Sequence, residues 1–100
     1  MPKIDLESIT EKTGSGYPAP FHTPCMGRSR KSIGDAGGLS QFGAQHITLS
    51  PGAWSSQRHW HDTEDELVYI ISGHPVLIDD HGRTPLSPGD FTAHPGGEPN

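Results

Sequence analysis

Hydrophobic and polar positions along the chain fall into two regimes that meet near residue 40. Residues 1–40 hold neither a helical nor a strand period; Leu6 and Ile9 share one side of a short helical turn, and nothing extends the pattern. Gly14-Ser15-Gly16-Tyr17-Pro18-Ala19-Pro20-Phe21 reads as an extended arm, because its prolines fix φ and exclude helix. Gly34, Gly37 and Gly38 punctuate a loop. Residues 1–40 are therefore expected to form an N-terminal arm and irregular lead-in, and residues 41–100 a β-domain.

From residue 41 the strand signals become regular. Gln45-His46-Ile47-Thr48-Leu49 alternates and is rich in β-branched residues; it ends at a Ser50-Pro51-Gly52 turn. Ser55 to His61 reads as a polar strand. Glu66-Leu67-Val68-Tyr69-Ile70-Ile71-Ser72 carries the strongest strand signal, apolar on both faces and so expected to be covered on both. Ser72-Gly73-His74 turns the chain into Pro75–Asp79, and Asp80-His81-Gly82 suits a hairpin. Thr84 to Leu86, the turn Ser87-Pro88-Gly89-Asp90 and the strand Phe91–His94 complete the series. Strands recurring at roughly eight- to ten-residue spacing predict an all-β antiparallel sandwich or barrel.

Composition agrees. Thirteen glycines and ten prolines in 100 residues exclude a helical bundle or coiled coil. No apolar run approaches the roughly 18 residues of a membrane span, and Met1–Glu7 lacks the apolar stretch of a secretory signal. No membrane partner and a cytoplasmic location are expected. The single cysteine, Cys25, excludes an internal disulfide framework and an all-cysteine zinc site. Seven Lys/Arg against twelve Asp/Glu, a formal charge of −5, argue against nucleic acid as a partner. The basic cluster Arg28, Arg30 and Lys31 reads as a solvated loop.

The chemistry gathers in the second half. His59 and His61 lie two apart on the polar strand, which puts both imidazoles on one face with Trp60 and Arg58 on the other. Asp62-Thr63-Glu64-Asp65 reverses the chain, and Glu66 opens the strongest strand beside the histidine pair. Two imidazoles and one carboxylate on one face form a set suited to a divalent first-row ion with open positions. Val68 and Ile70 continue the Glu66 face, so the site is expected to look into an apolar cavity, where a carboxylate needs a cation, a proton or a donor. Gln57 shares the histidine face and is a candidate hydrogen-bonding group for a substrate.

Gly52, His59-Trp60-His61, Glu66 after four intervening residues and Gly73 after six more together resemble the first motif of the cupin superfamily, with one extra residue between Gly52 and His59. Gly82, Pro88-Gly89-Asp90 and Pro95-Gly96-Gly97-Glu98-Pro99 resemble the start of its second motif. The resemblance spans residues 45–100. It implies a double-stranded β-helix, or jelly roll, and a metal held by His59, His61, Glu66 and a third histidine. That third position holds Asn100, a neutral amide oxygen; His94 is the nearest histidine. The chain ends within the second motif, so the barrel is expected to be incomplete at the C-terminus. A homodimer is expected by that resemblance, and the arm around residues 14–24 either crosses to the second copy or forms a strand within its own chain.

By that resemblance the chain is a metal-dependent small-molecule protein, an isomerase, dioxygenase or lyase acting on a polar substrate such as a sugar phosphate. The ion would be Fe, Mn, Zn or Ni, and would polarise a substrate carbonyl or hydroxyl, or bind dioxygen if it is iron. His94 and Glu64 are the nearest candidates for a general base. The alternative is a non-catalytic module that binds or senses a sugar or other small ligand, towards which Asn100 leans.

Overall fold

The computed structural model describes residues 3–14, 18–56 and 63–97. The chain divides into two compact units, Met1–Gln57 and Arg58–Asn100.

In the first unit, Asp5 caps a 3-10 turn over Leu6–Ser8, its Oδ1 accepting from the Glu7 amide at 3.2 Å. Strands β1 (Lys12–Thr13), β2 (Arg28–Ser32) and β3 (Gln45–Leu49) then pair in that order, antiparallel throughout. A short helix α1 (Ile33–Ala36) follows β2 directly. It closes on the Gly37 amide, which donates to the Ile33 carbonyl at 3.1 Å. At the end of β3, Pro51 presets φ and Gly52 takes φ +83°, so that Ala53 N donates to Ser50 O at 2.9 Å in a type II turn. Cys25, in the 3-10 turn Thr23–Cys25, is fully buried.

Two expectations for this half are corrected. Arg28, Arg30 and Lys31 lie on β2, the central strand of the sheet, rather than in a solvated loop. Arg-Ser-Arg-Lys-Ser carries no apolar alternation, and every residue of β2 is half-buried rather than sorted into wet and dry. The described part of the 14–24 stretch is a run of turns rather than an extended arm. Phe21 N donates to Pro18 O at 2.9 Å, Thr23 N to Pro20 O at 3.3 Å and Cys25 N to His22 O at 3.0 Å.

The second unit contains two ladders. Strand β4 (Glu66–Tyr69) pairs antiparallel with β7 (Phe91–His94), and β5 (Val76–Asp79) with β6 (Gly82–Pro85). The Ser87-Pro88-Gly89-Asp90 sequence repeats the type II solution: Gly89 has φ +94° and Asp90 N donates to Ser87 O at 3.0 Å. Asp90 Oδ2 accepts from Ser87 N at 2.8 Å, closing the turn from the side-chain end. This turn also fastens the end of the β4–β7 ladder. Gly89 N donates to Ile70 O at 2.8 Å, and Ile70 N to Asp90 O at 3.0 Å.

Alternation sorts the β4–β7 residues as expected on one face and not on the other. Ile70 and Thr92 are buried, each 9% exposed. On the reverse face Leu67, Tyr69, Ile71 and Phe91 are all exposed, Leu67 by 69%, and within β4 itself Glu66 and Val68 are exposed too, so the expectation that this strand is covered on both faces is corrected. Tyr69 and Phe91, directly opposite in register, shelter each other with ring centroids 4.7 Å apart and planes tilted by 36°. The polar strand expected over Ser55–His61 begins as bends at Ser55 and Ser56, and its remainder lies outside the described residues.

Candidate functional site

Of the residues singled out by sequence, Glu66 and His94 are brought together. Register pairs Glu66 with His94, Leu67 with Ala93, Val68 with Thr92 and Tyr69 with Phe91. Residues directly opposite on an antiparallel pair share a face, with Cβ atoms about 4.5–5.5 Å apart. Glu66, Val68 and Ile70 therefore lie on one face with His94 and Thr92. Burial is graded along it: Ile70 and Thr92 are closed off, while Val68 and Glu66 are exposed. The carboxylate sits at the wet mouth of the face rather than inside an apolar cavity.

His94 is half-buried, and its Nε2 shares a hydrogen bond of 2.9 Å with Thr92 Oγ1. The bond fixes the imidazole plane and leaves Nδ1 for another partner. Thr92 was not among the residues picked from sequence. The signal was present in its spacing, since period two puts residues 92 and 94 on one face of a strand.

A second link sets the approach to Glu66. Gly96 N donates to Asp65 Oδ1 at 2.9 Å, and the backbone of Gly96 packs so closely on Thr63 and Glu64 that a Cβ there would meet three of their backbone atoms. The segment entering β4 is thus held against the segment leaving β7. In the sequence Asp65 is only one residue of the chain reversal at 62–65, and the fold is what distinguishes it.

Beside β7 opens a cavity of about 500 Å³, lined among others by Leu77, Asp79, Thr84, Leu86, Thr92 and His94. Its lining mixes polar and apolar side chains and is open to solvent on one side, a concave surface that suits a polar small molecule. Gln57, His59, His61 and Asn100 lie outside the described residues.

A family model described as a cupin domain matches residues 45–99, more than half of the sequence. The chain belongs to the cupin family. It is similar to the crystal structure of a cupin-superfamily sugar phosphate isomerase from Silicibacter pomeroyi, with 50% sequence identity and a TM-score of 0.94. That similarity covers 99% of this chain and 63% of the other, so the present sequence spans less than two thirds of its relative's length. No curated protein matches. The fold is accordingly the all-β jelly roll of the cupins. No helix among the described residues is long and apolar enough to cross a membrane.

Proposed function

We propose that this cupin binds a divalent metal ion at the mouth of the β4–β7 face and acts there on a polar small molecule, with a sugar phosphate as the favoured substrate class. The observation that carries the reading is the β4–β7 register, which faces the Glu66 carboxylate with the His94 imidazole. A carboxylate and a neutral imidazole at an exposed mouth are a donor pair that suits a first-row divalent ion. The similarity to a sugar phosphate isomerase supports the substrate class.

Glu66 would hold the ion with His59 and His61, the pair that the family motif supplies, and the ion would act as a Lewis acid on a substrate oxygen. Thr92 holds the His94 ring in one orientation through its 2.9 Å hydrogen bond. His94 is thereby a positioned donor or acceptor for a substrate proton at Nδ1. Leu77 and Leu86 give the neighbouring cavity apolar surface, while Asp79 and Thr84 offer it polar groups.

Metal titration of the full chain with Mn²⁺, Fe²⁺, Ni²⁺ and Zn²⁺ tests the reading, alongside Glu66→Gln and His59→Ala. One ion per chain is expected, with affinity reduced at least tenfold in each variant. Unchanged affinity in both would overturn it. Ion binding and sugar phosphate binding without turnover would leave the site and replace catalysis by ligand sensing.

A further inference from the structure

We propose that the three-stranded sheet of the first unit carries a phosphate-binding face built from Lys12, Arg28 and Arg30. The proposal goes beyond the metal reading and does not rest on it. Period two along β2 places Arg28 and Arg30 on one face. Lys12 pairs directly with Arg30 across the β1–β2 ladder and so joins that face, while Ile47 and Leu49 of β3 stand opposite Arg30 and Arg28.

The fourth cation of these strands behaves differently. Lys31 points to the reverse side, where its Nζ donates to the Leu6 carbonyl at 3.0 Å, and so has a structural partner. Arg28 is half spoken for: one terminal nitrogen donates to Ser55 O at 2.8 Å, whereas its Nε is buried with no hydrogen-bond partner. Neither Lys12 nor Arg30 has a side-chain hydrogen bond or ion pair among the described residues. Three cationic residues thus share a face with no carboxylate paired to them among the described residues, on a chain whose formal charge is −5.

Like charges directly opposite on a ladder destabilise it, so a Lys12–Arg30 pair with no counter-charge is a local conflict that folding alone does not explain. An anion resolves it. The Arg30 guanidinium offers a planar fork that matches phosphate oxygens, Arg28, partly committed to Ser55 O, adds a second positive charge, and the lysine adds a point charge. Ile47 and Leu49, both exposed, give the face an aliphatic floor beside the charges, which suits a phosphate borne on a small organic molecule. The net acidity of the chain disfavours an extended polyanion.

The test is calorimetric titration of the full chain with inorganic phosphate at constant ionic strength, repeated with a hexose phosphate and with the unphosphorylated hexose. Saturable binding of phosphate is expected, weakened at least tenfold by Arg30→Gln and by Lys12→Gln, and only partly restored in Arg30→Lys, which keeps the charge and loses the fork. A hexose phosphate that binds more tightly than phosphate, with the free hexose silent at this face, assigns it to an organic phosphate; equal affinities assign it to free phosphate. Thermal unfolding supplies the readout that a purely structural role would not give. In phosphate-free buffer Lys12→Gln should melt no lower than the parent chain, and phosphate should raise the midpoint of the parent but not of the variant. Stabilisation by phosphate that chloride reproduces at equal ionic strength, or that survives both glutamine substitutions, overturns the proposal. So does a Lys12→Gln variant that is destabilised without phosphate.

Discussion

Gly96→Ala is the substitution that most directly probes how the Glu66 strand is held. The added Cβ would lie 2.8 Å from the Thr63 carbonyl carbon, 2.9 Å from Glu64 O and 3.1 Å from Glu64 N. All three are backbone atoms, so no side chain can swing aside and the 63–65 segment itself must retreat. Forcing a methyl into such a contact costs about 1–3 kcal/mol. Retreat also stretches the 2.9 Å bond from Gly96 N to Asp65 Oδ1. Because Asp65 is exposed, that loss belongs at the low end of the range for hydrogen bonds, about 0.5–1 kcal/mol. Gly96 has no positive φ, so alanine recovers about 0.4–1 kcal/mol from the unfolded chain. The balance is a destabilisation of about 2 kcal/mol. With a urea slope of about 2 kcal/mol/M, the midpoint falls by about 1 M. Gly43→Ala is the control, since that Cβ meets nothing within 4 Å and φ is not positive; it should be neutral or slightly stabilising. Urea unfolding followed by far-ultraviolet circular dichroism measures both. If Gly96→Ala lies within about 0.5 kcal/mol of the parent, the contact is not a constraint and the reasoning fails.

Three other outcomes follow from the geometry. Gly89→Ala meets no atom within 4 Å but must hold φ +94°, so its cost is conformational alone, about 1–2 kcal/mol by urea unfolding. A double-mutant cycle on Tyr69 and Phe91, each to Ala, should give a coupling of about 0.5–1.5 kcal/mol in the stabilising direction, and additive losses would deny the ring contact. Cys25, fully buried, should react with a thiol reagent slowly, only through opening of the chain, and promptly in denaturant; prompt labelling of the native chain would contradict its position.

How much of this was legible in the sequence depended on what each segment buries. The hydrophobic run of β4, the β5–β6 hairpin and β7 announced themselves, and both Ser-Pro-Gly turns were readable because proline and glycine fix their dihedrals chemically. β2 was not, since it is a central strand written in arginine, lysine and serine, half-buried throughout without an apolar side chain to mark it. β6 begins two residues earlier than the pattern suggested, at Gly82, where φ +115° and ladder pairing coincide. For the site, Glu66 and His94 could each be singled out, but their pairing is a property of register, and register is a long-range fact. The exposed reverse face of β4 was misread because an apolar run records that a strand is greasy, not which side finds a neighbour.

The β4–β7 ladder is fastened at one end by Ile70 to Gly89 and Asp90, and at the other by Asp65 to Gly96. A slip by one residue would turn Glu66 and His94 to opposite sides, and both fastenings stand against it. The whole β5–β6 excursion lies between those anchor points and carries its own pairing, out to Leu86 N on Pro75 O at 2.8 Å. The hairpin tip at Asp80-His81 is therefore the place where residues can be inserted or removed while the distance between acid and imidazole stays put. That makes the tip a dial for reshaping the neighbouring cavity independently of the chemistry at its mouth.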